Sequence, residues 1–146
     1  MSRGRRVLAV LATTLVLLLP LNVRAQDLTT LIKIFGIGYV VKQYATPLND
    51  FVNSVLANNG VKVIEQTKVV PVLSIGVGQA SYIGAAQVSG TKAALAKVEA
   101  VAQLEADFNT VFRIKALVPI TSTNPIADGI HRVSGVGVTA VIDIRI

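Results

Sequence analysis

The second half of the chain alternates apolar and polar positions with a period of two, which is typical of half-buried strands. In residues 98–108 one face is apolar, made of Val98, Ala100, Ala102, Leu104, Ala106 and Phe108. In residues 112–118 apolar positions alternate with Arg113 and Lys115. Helix propensity alone favours a helix from residue 91 onward, since Ala, Lys, Glu and Leu dominate there. The alternation instead predicts a short helix over 91–97 and a strand from residue 98.

A hairpin with its turn at residues 109–111 would place complementary side chains of these two stretches opposite each other. The predicted pairs are Asp107 with Arg113, Glu105 with Lys115, and Phe108 with Phe112. Cross-strand pairs of this kind contribute about 0.2–1 kcal/mol each. Because a helix offers no comparable match, the sequence predicts a β-hairpin.

Three more strands complete the predicted sheet. Residues 68–77 are rich in Val and Ile, Gly76-Val77-Gly78 is a turn signal, and residues 79–89 form the partner strand. The last strand alternates up to the final residue, and its apolar face is predicted to hold Val136, Val138, Ala140, Ile142, Ile144 and Ile146. Residues 121–134 carry turn chemistry and predict a loop.

Residues 26–60 predict helix, with Asp27 as a good N-cap. Pro47 is expected to divide this segment, with Thr46 capping a second helix. That second helix carries an apolar stripe of Leu48, Phe51, Val52 and Val55. Asn58-Asn59-Gly60 is a typical helix end.

The predicted fold class is therefore α+β. An N-terminal apolar helix, or a kinked helix pair, is expected to pack on an antiparallel meander of about five strands. The helix is expected to cover one face of the sheet, because that apolar face would otherwise be exposed to water. The helical segment 26–60 and the β domain 61–146 are expected to form one globular unit.

Residues 1–25 are typical of a secretory signal peptide of bacterial type. Arg3, Arg5 and Arg6 precede an apolar run over residues 7–21, and Ala25 offers a cleavage point. The sequence thus predicts export to a periplasm or the extracellular space. Without this segment the chain keeps ten basic and eight acidic residues. So weak a charge excess predicts no nucleic-acid partner.

The chain contains no cysteine, which excludes disulfides, thiolate metal sites and a cysteine nucleophile. His131 with Asp128 could form a general base and its orienter, with Ser134 nearby in sequence as nucleophile. A surface loop histidine is the favoured interpretation. The protein is expected not to be an enzyme.

Other candidate chemistry is also weak. Glu99, Glu105 and Asp107 could ligate a hard cation, but pairing with Arg113 and Lys115 is sufficient explanation for the last two. The triplets Gly36-Ile37-Gly38 and Gly76-Val77-Gly78 do not complete a phosphate-binding motif. Helix close-packing and a hairpin turn are the expectations for them, and no cofactor or metal is predicted.

Residues 31–41 are too few to span a bilayer, which takes about 20 residues. This apolar segment could be buried on the sheet, which the sequence favours, or could lie in a membrane interface with lysines near the headgroups. The predicted contact residues for a membrane or partner are Leu31, Lys33, Ile34, Phe35, Ile37, Val41 and Lys42.

One stretch resembles a known family. The glycine-rich sequence of residues 74–90 is similar to the central hairpin of the SYLF lipid-binding domains, and residues 93–107 loosely match the short helix and strand that follow it. Residues 135–140 faintly resemble that family's closing strand, although the chain is shorter than a full domain and lacks its usual N-terminal portion. The resemblance implies phospholipid association and assigns no functional residue.

Three functional hypotheses follow. The first is a non-enzymatic exported domain that associates with lipid or an envelope surface. The second is a structural or protein-interaction module that forms homo-oligomers through the edge of its last strand. The third and weakest is a small hydrolase that depends on His131.

Overall fold

A computed structural model describes residues 25–144 of the chain. The helices are α1 (Ala25–Phe35), α2 (Ile37–Asn58), α3 (Lys92–Leu95) and α4 (Pro125–Asp128). The strands are β1 (Gln66–Gly76), β2 (Gln79–Gly90), β3 (Ala100–Phe108), β4 (Phe112–Ile120) and β5 (Gly137–Asp143). The predicted α+β class with five strands is confirmed. The predicted signal peptide lies outside the described residues, apart from Ala25.

The helical segment breaks at Gly36 and not at Pro47. Gly36 has a φ of +91°, a left-handed conformation that glycine adopts without steric cost. The chain divides there into a short N-terminal unit that holds α1 and a larger unit from Ile37 onward. Asp27 lies inside α1, so the prediction that it caps the helix is wrong.

α2 continues without interruption through Pro47, so the predicted division at Thr46 and Pro47 is wrong as well. A proline removes one helical hydrogen bond, and the packing of α2 against the sheet offsets that cost. The predicted end is confirmed, because the amides of Gly60 and Val61 donate to Ala57 O and Leu56 O over 3.0 and 2.9 Å. These two bonds form a Schellman motif around Gly60, whose φ is +80°.

The sheet has the strand order β4-β3-β1-β2-β5 and is mixed and curled. β1 pairs antiparallel with β2 but parallel with β3, so the strands do not follow one another as a meander. α3 causes this difference, since it carries the chain from the end of β2 past the start of β1. Thr91 caps α3, as its hydroxyl accepts the Ala94 amide over 3.2 Å, and Lys68 Nζ donates to Leu95 O over 2.9 Å.

Three hydrophobic clusters form the core, all from residue 37 onward. The first packs α3 on the sheet with Val70, Val72, Ala86, Val88, Leu95, Val98, Val101 and Val133. The second holds Leu73, Ala100, Ala102 and Ile120. The third packs α2 on β1 and β2 through Val41, Val69 and Ala85, with Ile37, Ala45 and Leu48 against it.

The buried stripe of α2 differs from the predicted one. Ile37, Val41, Ala45 and Leu48 face the sheet, whereas Phe51 and Val55 of the predicted stripe are exposed. The stripe continues toward the C-terminus as Asn49 and Asn53, so its inner face changes from apolar to polar.

β5 also departs from its prediction, because a β-bulge reverses the direction of its side chains. Its register with β2 shifts between Gln87 and Val88, and Thr139 has no Cα partner there. As a result Val136 and Val138 pack with the first cluster, while Ile142 and Ile144 pack with the α2 cluster. The strand ends at Asp143, and residues 145–146 of its predicted course lie outside the described part of the chain.

The predicted β3–β4 hairpin is confirmed in every pair. Asp107 lies opposite Arg113, Glu105 opposite Lys115, and Phe108 opposite Phe112. Residues 109–111 form the turn, in which Asn109 and Thr110 have φ values of +52° and +58°. The short helix after residue 91 is confirmed as well, as α3.

Candidate functional site: the turn end of the sheet

Because β1 and β3 run parallel, the turns that follow them lie at the same end of the sheet. One is the β1–β2 turn at Val77 and Gly78, and the other is the β3–β4 turn at residues 109–111. We call this end the turn end. The opposite end, which holds α3 and the start of β1, is the crossover end.

The β3–β4 hairpin extends from the sheet at the turn end. The β1–β3 ladder stops at Ser74 and Gln103, whereas the β3–β4 ladder continues to Phe108 and Phe112. From Leu104 onward β3 therefore pairs with β4 alone. We call residues 104–116 the arm, and all of them except the half-buried Leu104 are exposed.

One face of the arm is apolar. Its residues are Leu104, Ala106, Phe108, Phe112, Ile114 and Ala116, which are cross-strand partners. The Phe108 and Phe112 rings lie with centroids 6.0 Å apart and planes at 36°, a spacing typical of favourable aromatic pairs. A two-stranded ribbon with an exposed apolar face is marginal in water, so this face gains stability when something covers it.

The other face of the arm is charged and balanced. Arg113 lies 3.4 Å from Glu105 and 3.7 Å from Asp107, measured between nitrogen and carboxylate oxygen. Gln103 also donates to Glu105 Oε2 over 2.8 Å. Lys115 is the register partner of Glu105, so two acids and two bases share the face. The arm thus carries no net charge.

Both turns carry strongly exposed apolar side chains. Val77 is fully exposed, and Val111 and Phe112 are 78% and 60% exposed. Ile83, which has no partner in β1 because of a bulge, adds an exposed side chain near the same end. Exposed apolar side chains of both turns therefore lie at the turn end, which makes this end a candidate interaction site.

The sequence analysis missed a polar network under α2. Gln87 is completely buried, and its Nε2 donates to Asn49 Oδ1 over 3.0 Å and to Asn53 Oδ1 over 2.8 Å. Thr139 donates to Gln87 Oε1 over 2.6 Å, and Asn53 Nδ2 donates to Thr67 Oγ1 over 3.0 Å.

This network contains amides and hydroxyls but no acid, base or activated nucleophile, so it positions α2 on the sheet. The signal for it was available in the sequence. Asn49 and Asn53 stand one helical turn apart, and Gln87 interrupts an apolar strand.

The predicted contact residues are divided between two elements. Leu31, Lys33, Ile34 and Phe35 lie on α1, where Ile34 and Phe35 are exposed. Ile37, Val41 and Lys42 lie on α2. Val41 is 1% exposed and belongs to the core, so its side chain makes no surface contact in this fold. Within residues 25–144, no helix combines the length and apolar character needed to cross a membrane.

The His131 region does not assemble a triad. The His131 ring shares a hydrogen bond of 2.8 Å with the backbone carbonyl of Asp128. The Asp128 carboxylate instead accepts from the Ser122 hydroxyl over 2.5 Å. A triad needs the carboxylate on the imidazole and the imidazole on a nucleophile, and these contacts supply neither.

The remaining candidates lie in different parts of the fold. Glu99 precedes β3 at the crossover end, whereas Glu105 and Asp107 lie on the arm with Arg113. No group of three acidic or histidine side chains in the described residues could hold a metal ion. Gly38 lies in α2 where a Cβ would come within 2.7 Å of the Tyr82 ring, so the close-packing interpretation is confirmed for Gly38. It is wrong for Gly36, where a Cβ would meet nothing within 4 Å and the positive φ breaks the helix instead. Gly76-Val77-Gly78 forms the β1–β2 turn, as predicted.

Comparisons with protein-family models, with curated proteins and with solved structures find no match to this chain. The resemblance to SYLF domains therefore stays a prediction, and the functional argument depends on the geometry of the turn end.

Proposed function

We propose that this chain is an exported, non-enzymatic domain that associates with a lipid surface through the turn end of its sheet. The observation that carries the proposal is the pair of turns with exposed apolar side chains at one end. Val77 lies on one turn, and Val111 lies on the other with Phe112 next to it in β4. Export depends on the signal peptide predicted for residues 1–25.

A lipid interface suits this arrangement better than a rigid protein partner. The exposed side chains lie on two separate turns, and a fluid interface can accept both without a matching rigid surface. Removing apolar surface from water contributes about 25 cal/mol per Å², and aromatic rings are favoured at membrane interfaces. The exposed Ile34 and Phe35 of α1 form a second predicted contact surface.

Vesicle flotation with the chain from residue 26 onward tests the proposal, since all three core clusters lie within that part. Phe112→Asp should remove most of the flotation, because burying a Phe side chain contributes about 1.5–3 kcal/mol. Ile64→Asp is the matched control, as Ile64 is 84% exposed and lies before β1 at the crossover end.

Phe35→Asp distinguishes the two predicted surfaces. Loss of flotation with Phe35→Asp and none with Phe112→Asp would move the contact to α1. Absence of the unsubstituted protein from the vesicle fraction with every lipid would refute lipid association.

A second candidate function is self-association through β5. β5 is an outer strand of the sheet and presents Thr139 and Val141 as exposed side chains. β4, the other outer strand, is less suited to pairing with its own copy. An antiparallel pair centred on Ile114 would place Arg113 of one copy opposite Lys115 of the other, and like charges destabilise such pairs. Val141→Lys should lower the mass in analytical ultracentrifugation if β5 self-associates, and a protein that is monomeric throughout would exclude this function.

A further inference from the structure

We infer that the turn end is suited to a lipid interface without net charge, such as a zwitterionic phosphatidylcholine surface, and that its binding depends little on salt. This inference rests on the proposed function and names the class of lipid. Two observations carry it: the charge balance of the arm and the distribution of basic residues over the sheet.

The arm has no excess of cationic side chains with which to bind an anionic headgroup. Arg113, the basic residue nearest the turn, lies within 4 Å of both acids on the arm. Glu105 and Asp107 would be repelled by an anionic surface as strongly as Arg113 and Lys115 would be attracted. Electrostatic attraction of a juxtamembrane basic residue to anionic lipid amounts to about 1 kcal/mol per residue, and here the contributions cancel.

The excess of positive charge lies at the opposite end of the sheet. Lys62 and Lys68 are near the start of β1, Lys92 begins α3 and Lys97 follows it, and Arg132 forms a β-bridge with Ile120 at the end of β4. The acids at this end are Glu65, Glu99 and Asp128. An anionic membrane would therefore attract the crossover end more than the turn end. A surface without net charge does not exert this attraction and leaves contact through the turn end favoured.

The exposed apolar side chains at the two turns would supply the binding energy instead. Val77 and Val111 stand at the two turns, and the Phe108–Phe112 pair lies directly behind the second turn. Hydrophobic transfer is independent of ionic strength to first order, whereas attraction between exposed charges is screened over about 30 Å at 0.01 M salt and 3 Å at 1 M. The two driving forces can therefore be separated by salt.

The chain contains no tryptophan, so a single introduced indole reports its own position. Phe112→Trp places the probe at the turn end, and Ile64→Trp places a matched control at the crossover end. Each variant, from residue 26 onward, is titrated with phosphatidylcholine vesicles and with vesicles that also contain phosphatidylglycerol. The titrations are repeated in low and high salt and with brominated acyl chains as quenchers.

The expected result is a blue shift and quenching of the Phe112→Trp emission with phosphatidylcholine alone. The partition coefficient should change by less than about threefold between 0.01 M and 1 M salt, and the Ile64→Trp emission should stay unchanged. Binding that requires phosphatidylglycerol and disappears in high salt would overturn the inference and leave lipid association standing. Quenching of the Ile64→Trp probe in place of the Phe112→Trp probe would overturn it as well. Absence of binding to any vesicle would refute the proposed function itself.

Discussion

The two halves of the β3–β4 hairpin have opposite environments, one buried near the crossover end and one exposed at the turn end. Near the crossover end, Ala100, Val101 and Ile120 are completely buried. From Glu105 to the turn, apolar and charged positions alternate and both faces are exposed, whereas Val101, Leu117 and Pro119 occupy the corresponding charged positions in the other half. The difference arises because β1 accompanies β3 only as far as Gln103. Alternation thus predicts which strands pair, whereas burial depends on what lies beside and above them.

Polar groups show the same contrast between a buried region and the exposed arm. Under α2, Gln87 is buried and its donors and acceptor are used by Asn49, Asn53 and Thr139. On the arm, the ion pairs of Arg113 with Glu105 and Asp107 are exposed to solvent. Buried hydrogen bonds are costly to break, while exposed ion pairs contribute little. The stability of the protein should therefore be sensitive to substitutions in the packed part of the sheet and under α2, and tolerant of substitutions in the arm.

The largest contrast is expected between two isoleucines of β4. Ile120 is 0% exposed and Ile114 is 49% exposed. Ile120→Ala should lower the free energy of unfolding by about 2–5 kcal/mol, because it leaves a cavity among Leu73, Ala100 and Ala102. Ile114→Ala should cost less than about 1 kcal/mol, as for surface substitutions. Urea unfolding of both variants measures the difference, and equal losses would show that the arm is covered in solution.

The polar network should give the next largest effect. Gln87→Ala removes a side chain that satisfies three partners, and an unsatisfied buried polar group costs about 1–3 kcal/mol. Gln79→Ala, an exposed position on the same strand, is the control and should change stability by less than about 0.5 kcal/mol. Thermal unfolding by circular dichroism compares them. A Gln87 variant as stable as the control would mean that α2 does not depend on the network.

Two glycines of the sheet, Gly84 within β2 and Gly76 at the turn end, differ in how closely other atoms pack against them. A Cβ on Gly84 would lie 2.6 Å from the Ile142 carbonyl oxygen, whereas one on Gly76 would meet nothing closer than 4.0 Å. Gly84→Ala should therefore destabilise the β2–β5 pairing by about 1–3 kcal/mol, as overpacking does. Gly76→Ala should be close to neutral. Denaturant midpoints that agree for the two variants would contradict the close approach of β5 to β2.

The smallest effect is expected for the arm's ion pairs. Arg113→Ala removes contacts to Glu105 and Asp107 whose side chains are largely exposed, so the loss should be about 0.2–1 kcal/mol. High salt should reduce the difference between variant and parent still further. A loss comparable with that of Ile120→Ala would show that the charged face is desolvated by a partner.

Local pairing was the most predictable part of the molecule. Opposite charges and aromatic residues at matching positions identified the β3–β4 register, and Gly60 identified the end of α2. Two of the errors came from single residues that interrupt a regular pattern. Gly36 rather than Pro47 breaks the helices, and Thr139 reverses the faces of β5. The turn end was not predicted as a candidate site, because its apolar residues look like those of any half-buried strand.

The sequence by itself determined the hairpins, the short helix capped by Thr91, and the α+β class, since each depends on residues close together in the chain. The tertiary structure alone decided the parallel pairing of β1 with β3, the burial of Gln87 beneath Asn49 and Asn53, and the emergence of the arm from the sheet. These features join segments separated by tens of residues. Periodicity describes how a strand divides its side chains between two faces, but only the packed structure decides which faces are covered.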